Sequence, residues 1–332
     1  MNRFQGTTTG AALTQLAQLA CAAAGMLTAL SVFAQAYPAK SVRMIVPYTP
    51  GATTEVARVI LQRVSASLGQ SFVVDPRPGG GGTIGTNVVA RSAPDGYTLL
   101  YSTAGNLLQA PFMVKDVPFH PIKDFTAIIG VVKTVGILAI NPSIPVHSVK
   151  ELIEWGKKNP GKLSLGNSGA GAAYYVGVDL LNKLAGVPVI NVPYKGGAEA
   201  NLGAIAGETT GVIGSVTSLK ALDKAGKLRA LAVIEGTRFA GLPNLPTVGE
   251  TIPGFALPVG FHGILGPAGT PRPIVNRLYS EIAASLKTPE VVKALDGFGL
   301  DVAVSDPDEF AAALKSDYDL FTRIVKLLDI KP

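Results

Sequence analysis

A chain of 332 residues, 47% hydrophobic and with 38 glycines and 24 prolines spread along its length, reads as a packed α/β protein of two lobes and excludes a low-complexity chain. The net charge of +6 is modest and its basic residues are scattered, Lys157, Lys158 and Lys162 forming the densest group. That excludes the clustered basic surface of a nucleic-acid binder and suits attraction of anionic solutes.

In chain order, Arg3 precedes an apolar stretch rich in Ala and Leu that ends in Ala34-Gln35-Ala36, just before Tyr37 and Pro38. This is the layout of a cleaved secretory signal over 1–36. Gln15 and Gln18 interrupt the run, which leaves its apolar core shorter than a membrane span. Gln18 also stands where a lipoprotein signal wants an aliphatic residue, three before Cys21, so lipidation is not expected. The mature chain is expected to be soluble, periplasmic and free of cysteine.

Short β-branched runs alternating with helical periods predict parallel sheets covered by helices. Strands are expected at Val42 to Val46, Phe72 to Asp75, Tyr97 to Tyr101, Gly136 to Ile140, Leu163 to Gly166, Val189 to Val192, Arg229 to Ile234 and Val259 to Leu265. Val56, Ile60, Val64 and Leu68 recur every fourth residue before Gly69, which predicts a helix from Thr53 to Leu68 with a glycine C-cap. Ser148 and Glu151 make a capping box for a helix in which Trp155 packs. Ile274, Leu278, Ile282 and Leu286 mark another helix, and Asp306, Pro307 and Glu309 start a last one carrying Phe310, Leu314 and Phe321. VPYTPGATTE from Val46 echoes VPYKGGAEAN from Val192, as expected of two similar lobes facing a cleft.

Two Gly-rich turns lead from strands into helices: Pro50 to Thr54, and Asn167 to Ala172. Such turns expose backbone N–H groups at a helix start, where a carboxylate is stabilised without any arginine. A third stretch, Gly80-x-Gly82-x-x-Gly85, mimics a dinucleotide fingerprint, but Arg77 and Pro78 intervene and no acidic residue follows at the right distance, so it is read as a structural turn. No cofactor and no metal are expected. His120, His147 and His262 show no metal-ligand spacing, Ser168 lacks a nucleophile-elbow setting because Ala170 fills the last position, and no thiol remains, so the chain is not expected to be an enzyme. His120 and His147 read as surface loop residues, whereas His262 is a candidate for ligand contact.

Taken together, YPAKSVRMIVPYTPGATTEVAR from Tyr37, RPGGGGTIG from Arg77, PDGYTLL from Pro94, PFHPIKDF from Pro118, NPGKLSLGNSGAG from Asn159, VPYKGG from Val192, LPTVGE from Leu245 and GPAGTPRPIV from Gly266 resemble the tripartite tricarboxylate transporter substrate-binding family, the Bug receptors. The resemblance implies a two-lobed periplasmic-binding-protein fold of the Venus flytrap type, type II-like, with the ligand cleft between lobes. Lobe 1 would comprise 37–136 plus 259–332 and lobe 2 would comprise 137–258. It implies ligand contacts from Tyr48, Gly51, Ala52, Thr53, Thr54 and Glu55 in the first loop, Ser168, Gly169, Ala170, Gly171 and Tyr175 around the second, and Ser102 and Thr103 as a third wall, with Tyr194, Lys195, Gly214, Ser215, Phe261 and His262 completing the set.

The departures bear on the ligand. Thr210 and Gly214 stand where the family has acids, which weakens an ammonium clamp and favours a non-amino carboxylate, dicarboxylic or aromatic given Tyr48, Tyr174, Tyr175, Tyr194 and Phe261. The implied role is a monomeric receptor that captures a small organic acid outside the inner membrane of a Gram-negative bacterium and delivers it to permease subunits. A sensory module for a signalling partner would use the same pocket, and an exported hydrolase is disfavoured by the missing catalytic set.

Overall fold

The structure is a computed structural model and describes residues 37–169, 173–298 and 300–331. The predicted signal segment with Cys21, and Ala170 and Gly171 of the second Gly-rich turn, lie outside the described residues. Ser41 opens the unit that carries every element described here.

In chain order the elements are β1 (Val42–Val46), α1 (Ala52–Leu68), β2 (Phe72–Pro76), α2 (Thr83–Ala90), β3 (Thr98–Thr103), α3 (Ala110–Met113), β4 (Phe125–Thr134) and β5 (Gly136–Ile140). There follow α4 (Val149–Lys158), β6 (Ser164–Asn167), α5 (Ala173–Leu184), β7 (Ile190–Pro193), α6 (Gly197–Ala206), β8 (Gly211–Ser215), α7 (Val216–Lys224) and β9 (Arg229–Val233). The chain closes with β10 (Gly260–Pro267), α8 (Arg272–Ser285), α9 (Pro289–Gly297), β11 (Val302–Ser305) and α10 (Pro307–Leu328). They build a six-stranded sheet of order β11-β4-β10-β3-β1-β2 and a five-stranded sheet of order β7-β6-β8-β5-β9.

Both sheets are mixed, a correction to the expected parallel arrangement. β1 runs parallel to β2 and β3, and β6 to β7 and β8, but β10 is antiparallel to β3 and β4, and β5 is antiparallel to β8 and β9. The chain passes from β4 through Val135 straight into β5, so these strands take their direction from crossing between sheets and not from a helical crossover, which parallel neighbours require.

Helix ends follow local chemistry. Gly69 closes α1 in the left-handed region at φ 65°. Asp306 accepts from the amides of Asp308 and Glu309 at 2.9 and 2.8 Å while the Glu309 carboxylate accepts from Asp306 N, a complete capping box. At α4 only half of the expected box forms: Ser148 Oγ accepts from Glu151 N at 3.2 Å, but the Glu151 carboxylate accepts from His147 N at 2.7 Å, one residue earlier than the motif predicts. α10 stitches the two cores together. Phe310 and Leu314 pack with Phe261, Leu100 and Leu265 under the first sheet, while Phe321 and Ile324 join Leu138 and Leu152 under the second, where Trp155 also packs.

The fingerprint-like glycines are structural. Gly82 has φ 93°, and a methyl group there would sit 2.7 Å from Asn106 Cβ and 3.3 Å from Pro47 O. Gly82 thus lets α2 lie against the end of β1. Gly82→Ala combines backbone strain with a steric push and is expected to cost about 2 kcal/mol, read as a lower urea midpoint at unchanged slope.

The internal echo does not mark equivalent positions. β1, with Val46, is flanked on both sides by parallel neighbours, whereas β7, with Val192, is an edge strand; the counterpart of β1 in the second sheet is β6. The two tyrosines diverge accordingly, as their partners show.

Candidate functional site

In the first sheet, β1 and β3 deliver their carboxyl ends side by side, which brings Tyr48 to Thr103. The Tyr48 hydroxyl lies 2.5 Å from Thr103 Oγ1 and donates to Asn106 Oδ1 at 3.0 Å. Asn106 is 1% exposed and sits in a single π turn over Gly105–Gln109, an irregularity often found at functional positions. Its Oδ1 also accepts from Thr103 N at 3.0 Å and from Ser102 Oγ at 3.3 Å. Its Nδ2 donates to Thr86 Oγ1 at 3.0 Å, and Thr86 in turn donates to Gly82 O at 2.9 Å. One amide side chain therefore ties β1, β3 and α2 together, and burial raises the Tyr48 phenol above its ordinary value even though these hydrogen bonds oppose the shift.

Three residues beyond Tyr48 the chain turns into α1. Gly51 N donates to Thr54 Oγ1 at 2.8 Å and Thr54 Oγ1 donates to Gly51 O at 2.7 Å, so the buried Thr54 hydroxyl closes the turn. The amides of Ala52 and Thr53 belong to the first helical turn and have no acceptor one turn back, as at any helix start. Glu55 is exposed and paired with Arg58.

Opposite Thr103 in the β3–β10 register stands His262. The buried Tyr101 hydroxyl lies 3.0 Å from His262 Nδ1, a hydrogen bond whose direction follows the imidazole tautomer. Burial pushes His262 down to about 4, so the ring is neutral at physiological pH.

In the second sheet, Asn167 ends β6. Its Oδ1 accepts from Gly169 N at 3.0 Å and its Nδ2 donates to Asn191 Oδ1 at 2.6 Å. Asn191 Nδ2 continues the chain to Asp179 Oδ1 at 2.8 Å and to the Tyr175 carbonyl at 3.1 Å. Gly169 has φ 111°, and a side chain there would meet Tyr194 O at 2.9 Å. Asn167 is buried and Asn191 half-buried, as are Ser168 and Tyr175 beside them.

Residues 56–330 match the family profile described as tripartite tricarboxylate transporter family receptor. The chain belongs to this family. It is 30% identical over 301 residues to protein BugT of Bordetella pertussis, covering 90% of this chain and 92% of BugT. Among solved structures, an R. palustris protein with adipate is 30% identical with a TM-score of 0.68, over 89% of this chain and 99% of that one. MatC from Rhodopseudomonas palustris with bound malate is 26% identical with a TM-score of 0.63, over 88% of this chain and all of that one. Members of this family are substrate-binding receptors, not enzymes, and their fold is two-lobed. Among the described residues no helix is long and apolar enough to cross a membrane.

In this tripartite tricarboxylate receptor, several of the expected residues are engaged with partners outside the Tyr48 cluster. Tyr194 packs between α6 and Gly166 of β6 and reaches over Gly203 to donate to Glu208 Oε2 at 3.0 Å. Lys195 is exposed, and its amide caps α6 on Glu199 Oε2 at 3.3 Å. Gly214 is packed, with Leu219 and Asn201 within 3.3 and 3.4 Å of where a Cβ would stand. Ser215 is the N-cap of α7, accepting from Thr217 N at 3.3 Å. Phe261 points away from His262 and stacks edge-on against Phe310, ring centroids 5.2 Å apart. Thr210 precedes β8 and bonds Lys162 O at 2.7 Å and Ser164 N at 3.1 Å, at the amino ends of the strands and remote from the loops at their carboxyl ends. Its lack of charge therefore says nothing about the ligand. Asn106, Tyr101 and Asn191 were not expected; an Asn just past a strand that ends in Ser-Thr was the available signal for the first.

Proposed function

We propose that this receptor captures a small non-amino carboxylate, dicarboxylic or aromatic, in the periplasm and hands it to the membrane subunits of a tripartite transporter. The observation that carries this reading is the cluster of neutral groups formed by Tyr48, Thr103 and Asn106 beside the amino end of a 17-residue helix. A carboxylate there gains the first-turn amides of Ala52 and Thr53 and the positive end of the helix dipole, with no protein cation needed. A neutral His262 and a Glu55 already paired with Arg58 leave little to hold an ammonium. The similar structures solved with adipate and malate support a dicarboxylate. The predicted export signal over 1–36 supports the location.

A thermal-shift series with adipate, malate, benzoate and aspartate tests the class. A non-amino acid at roughly 1,000 times its Kd is expected to add about 4 kcal/mol of apparent stability, with aspartate far weaker. A preference for aspartate, or no shift with any acid, contradicts the reading.

A further inference from the structure

A cavity of about 640 Å³ opens where the two sheets and α10 meet, a volume suited to a small organic molecule. Of the residues expected to bind the carboxylate it shares only Phe261, and the turns at 48–55, 102–106 and 168–169 contribute nothing to it. Phe261 and His262 are neighbours in β10 and project to opposite faces, and of the two only Phe261 lines the cavity.

The walls are largely apolar: Val132 and Phe261 from the first sheet, Val135 from the link between β4 and β5, Val216 from the start of α7, Phe310 and Ala313 from α10. The polar exception deep inside is Glu235, only 3% exposed. Its Oε1 accepts from Gly136 N at 2.8 Å, while Oε2 has no hydrogen-bond partner among the described residues. Buried polar atoms are rarely left so, and an orphan oxygen in an apolar cavity marks a place for a polar guest. The other charged groups around it come from each packed element: Asp317 on α10, Asp301 before β11, Lys133 on β4 and Lys220 on α7. Arg238 is held by the Glu250 carboxylate at 2.8 and 2.6 Å and is thereby neutralised. Both lysines and Asp301 are exposed at the rim, with Lys133 near enough to act on Asp317, so the groups that meet a guest inside are the Glu235 and Asp317 carboxyls, with the Tyr174 phenol nearby.

We propose that this cavity is a second binding site, for a small organic amine whose ammonium head pairs with Glu235 and whose apolar body lies against Phe261 and Phe310. Aromatic rings beside a carboxylate are the combination that recognises an ammonium on an apolar stem. Burial raises Glu235 to about 8 and Asp317 to about 6. The empty site therefore carries a proton on Glu235 at neutral pH, and an incoming ammonium displaces it: the carboxylic acid and the ammonium become an ion pair plus one free proton.

Phenethylamine titrated calorimetrically into the full chain at pH 7, in two buffers of different ionisation enthalpy, is the test. The expected result is saturable binding with release of about one proton per site, and at least tenfold weaker binding of the neutral isostere 2-phenylethanol. Glu235→Gln should weaken the amine at least tenfold and abolish proton release. Ala313→Phe, at an exposed position of α10 on the cavity wall, should block the cavity and leave carboxylate binding unchanged. Absence of saturable binding, binding without proton release, or unchanged affinity in both variants overturns the proposal.

Discussion

Asn106→Leu is expected to lower the unfolding free energy by about 3 kcal/mol and to weaken carboxylate binding at least a hundredfold. Leucine fits the volume but returns none of the hydrogen bonds. Tyr48 loses the acceptor at 3.0 Å, Thr103 N loses its own at 3.0 Å, and Thr86 Oγ1 loses its donor. Buried groups left without partners cost about 1 to 3 kcal/mol each, so two such losses suffice for the stability effect. The binding effect follows from position: Tyr48 is no longer held against Thr103, and the neutral wall beside the start of α1 loses its geometry. Urea denaturation reads the first quantity and calorimetry the second. Asn106→Asp separates them, since it keeps an acceptor for Tyr48 and Thr103 while placing a negative charge where the carboxylate is expected. Binding that survives Asn106→Asp would place the carboxylate away from this cluster.

Glu235→Gln is expected to remove a large pH dependence of stability. Burial pushes Glu235 up to about 8 in the fold, above its ordinary value of 4.5, so the folded state holds the proton more tightly than the unfolded one. Protonation therefore stabilises the fold: the contribution is full below about pH 4.5 and is lost as pH rises through 8. Between about pH 5 and 9 this amounts to about 4 kcal/mol. His262 works in the opposite sense. Its pKa falls from 6.5 to about 4, so the neutral ring favours the fold above about 6.5 and acidification toward 4 removes that advantage. From pH 7 down to 5 protonation of Glu235 contributes a gain of about 2 kcal/mol, Asp317, raised to about 6, adds a smaller gain, and His262 opposes both with a loss of about 2 kcal/mol. Glu235→Gln, whose amide can still accept from Gly136 N, removes only the first of these contributions. Chemical denaturation at pH 5, 7 and 9 should show the stability change between pH 7 and 5 to be about 2 kcal/mol less favourable in the variant than in the natural chain, and, unlike the natural chain, little loss between 7 and 9. Parallel profiles for the two proteins would mean that Glu235 is ionised in the fold.

Helix ends were readable because their determinants are local. Gly69, Ser148 and the Asp306-Pro307-Glu309 start act within one turn of themselves, and the error at Ser148 was one residue in which amide the Glu151 carboxylate takes. β8 was missed because GVIGS reads as a turn; its strand character comes from β5 and β6 on either side, with Gly211 pressed against the Ala139 carbonyl. β4 is a ten-residue apolar run broken by Gly130, where Ser305 and Phe310 lie 3.2 and 3.3 Å from the absent Cβ, a fact that belongs to tertiary packing. The directions of β5 and β10 could not be read either, since alternation of apolar residues does not encode which way a strand runs.

The same limit governs the site. Tyr48, Ser102 and Thr103 meet around a residue, Asn106, whose importance depends on a π turn with no sequence signature. Tyr194 resembled Tyr48 in its local sequence, yet an edge strand sends it over Gly203 to Glu208. Phe261 and His262 differ by one residue, and in a strand one residue is the difference between the apolar cavity wall and the face that carries Thr103. Glu235 gave no signal at all, because its environment is assembled from β5, α10 and the segment that crosses between sheets.

A crystal structure of residues 37–332 with the acid that gives the largest thermal shift should show it at the start of α1, with one carboxylate within hydrogen-bonding distance, about 2.7 to 3.1 Å, of the Ala52 and Thr53 amides and the Tyr48–Thr103–Asn106 cluster forming the adjoining wall. A carboxylate bound in the cavity beside Glu235, or one whose charge is met by Lys133 or Lys220 in place of the start of α1, would contradict that placement.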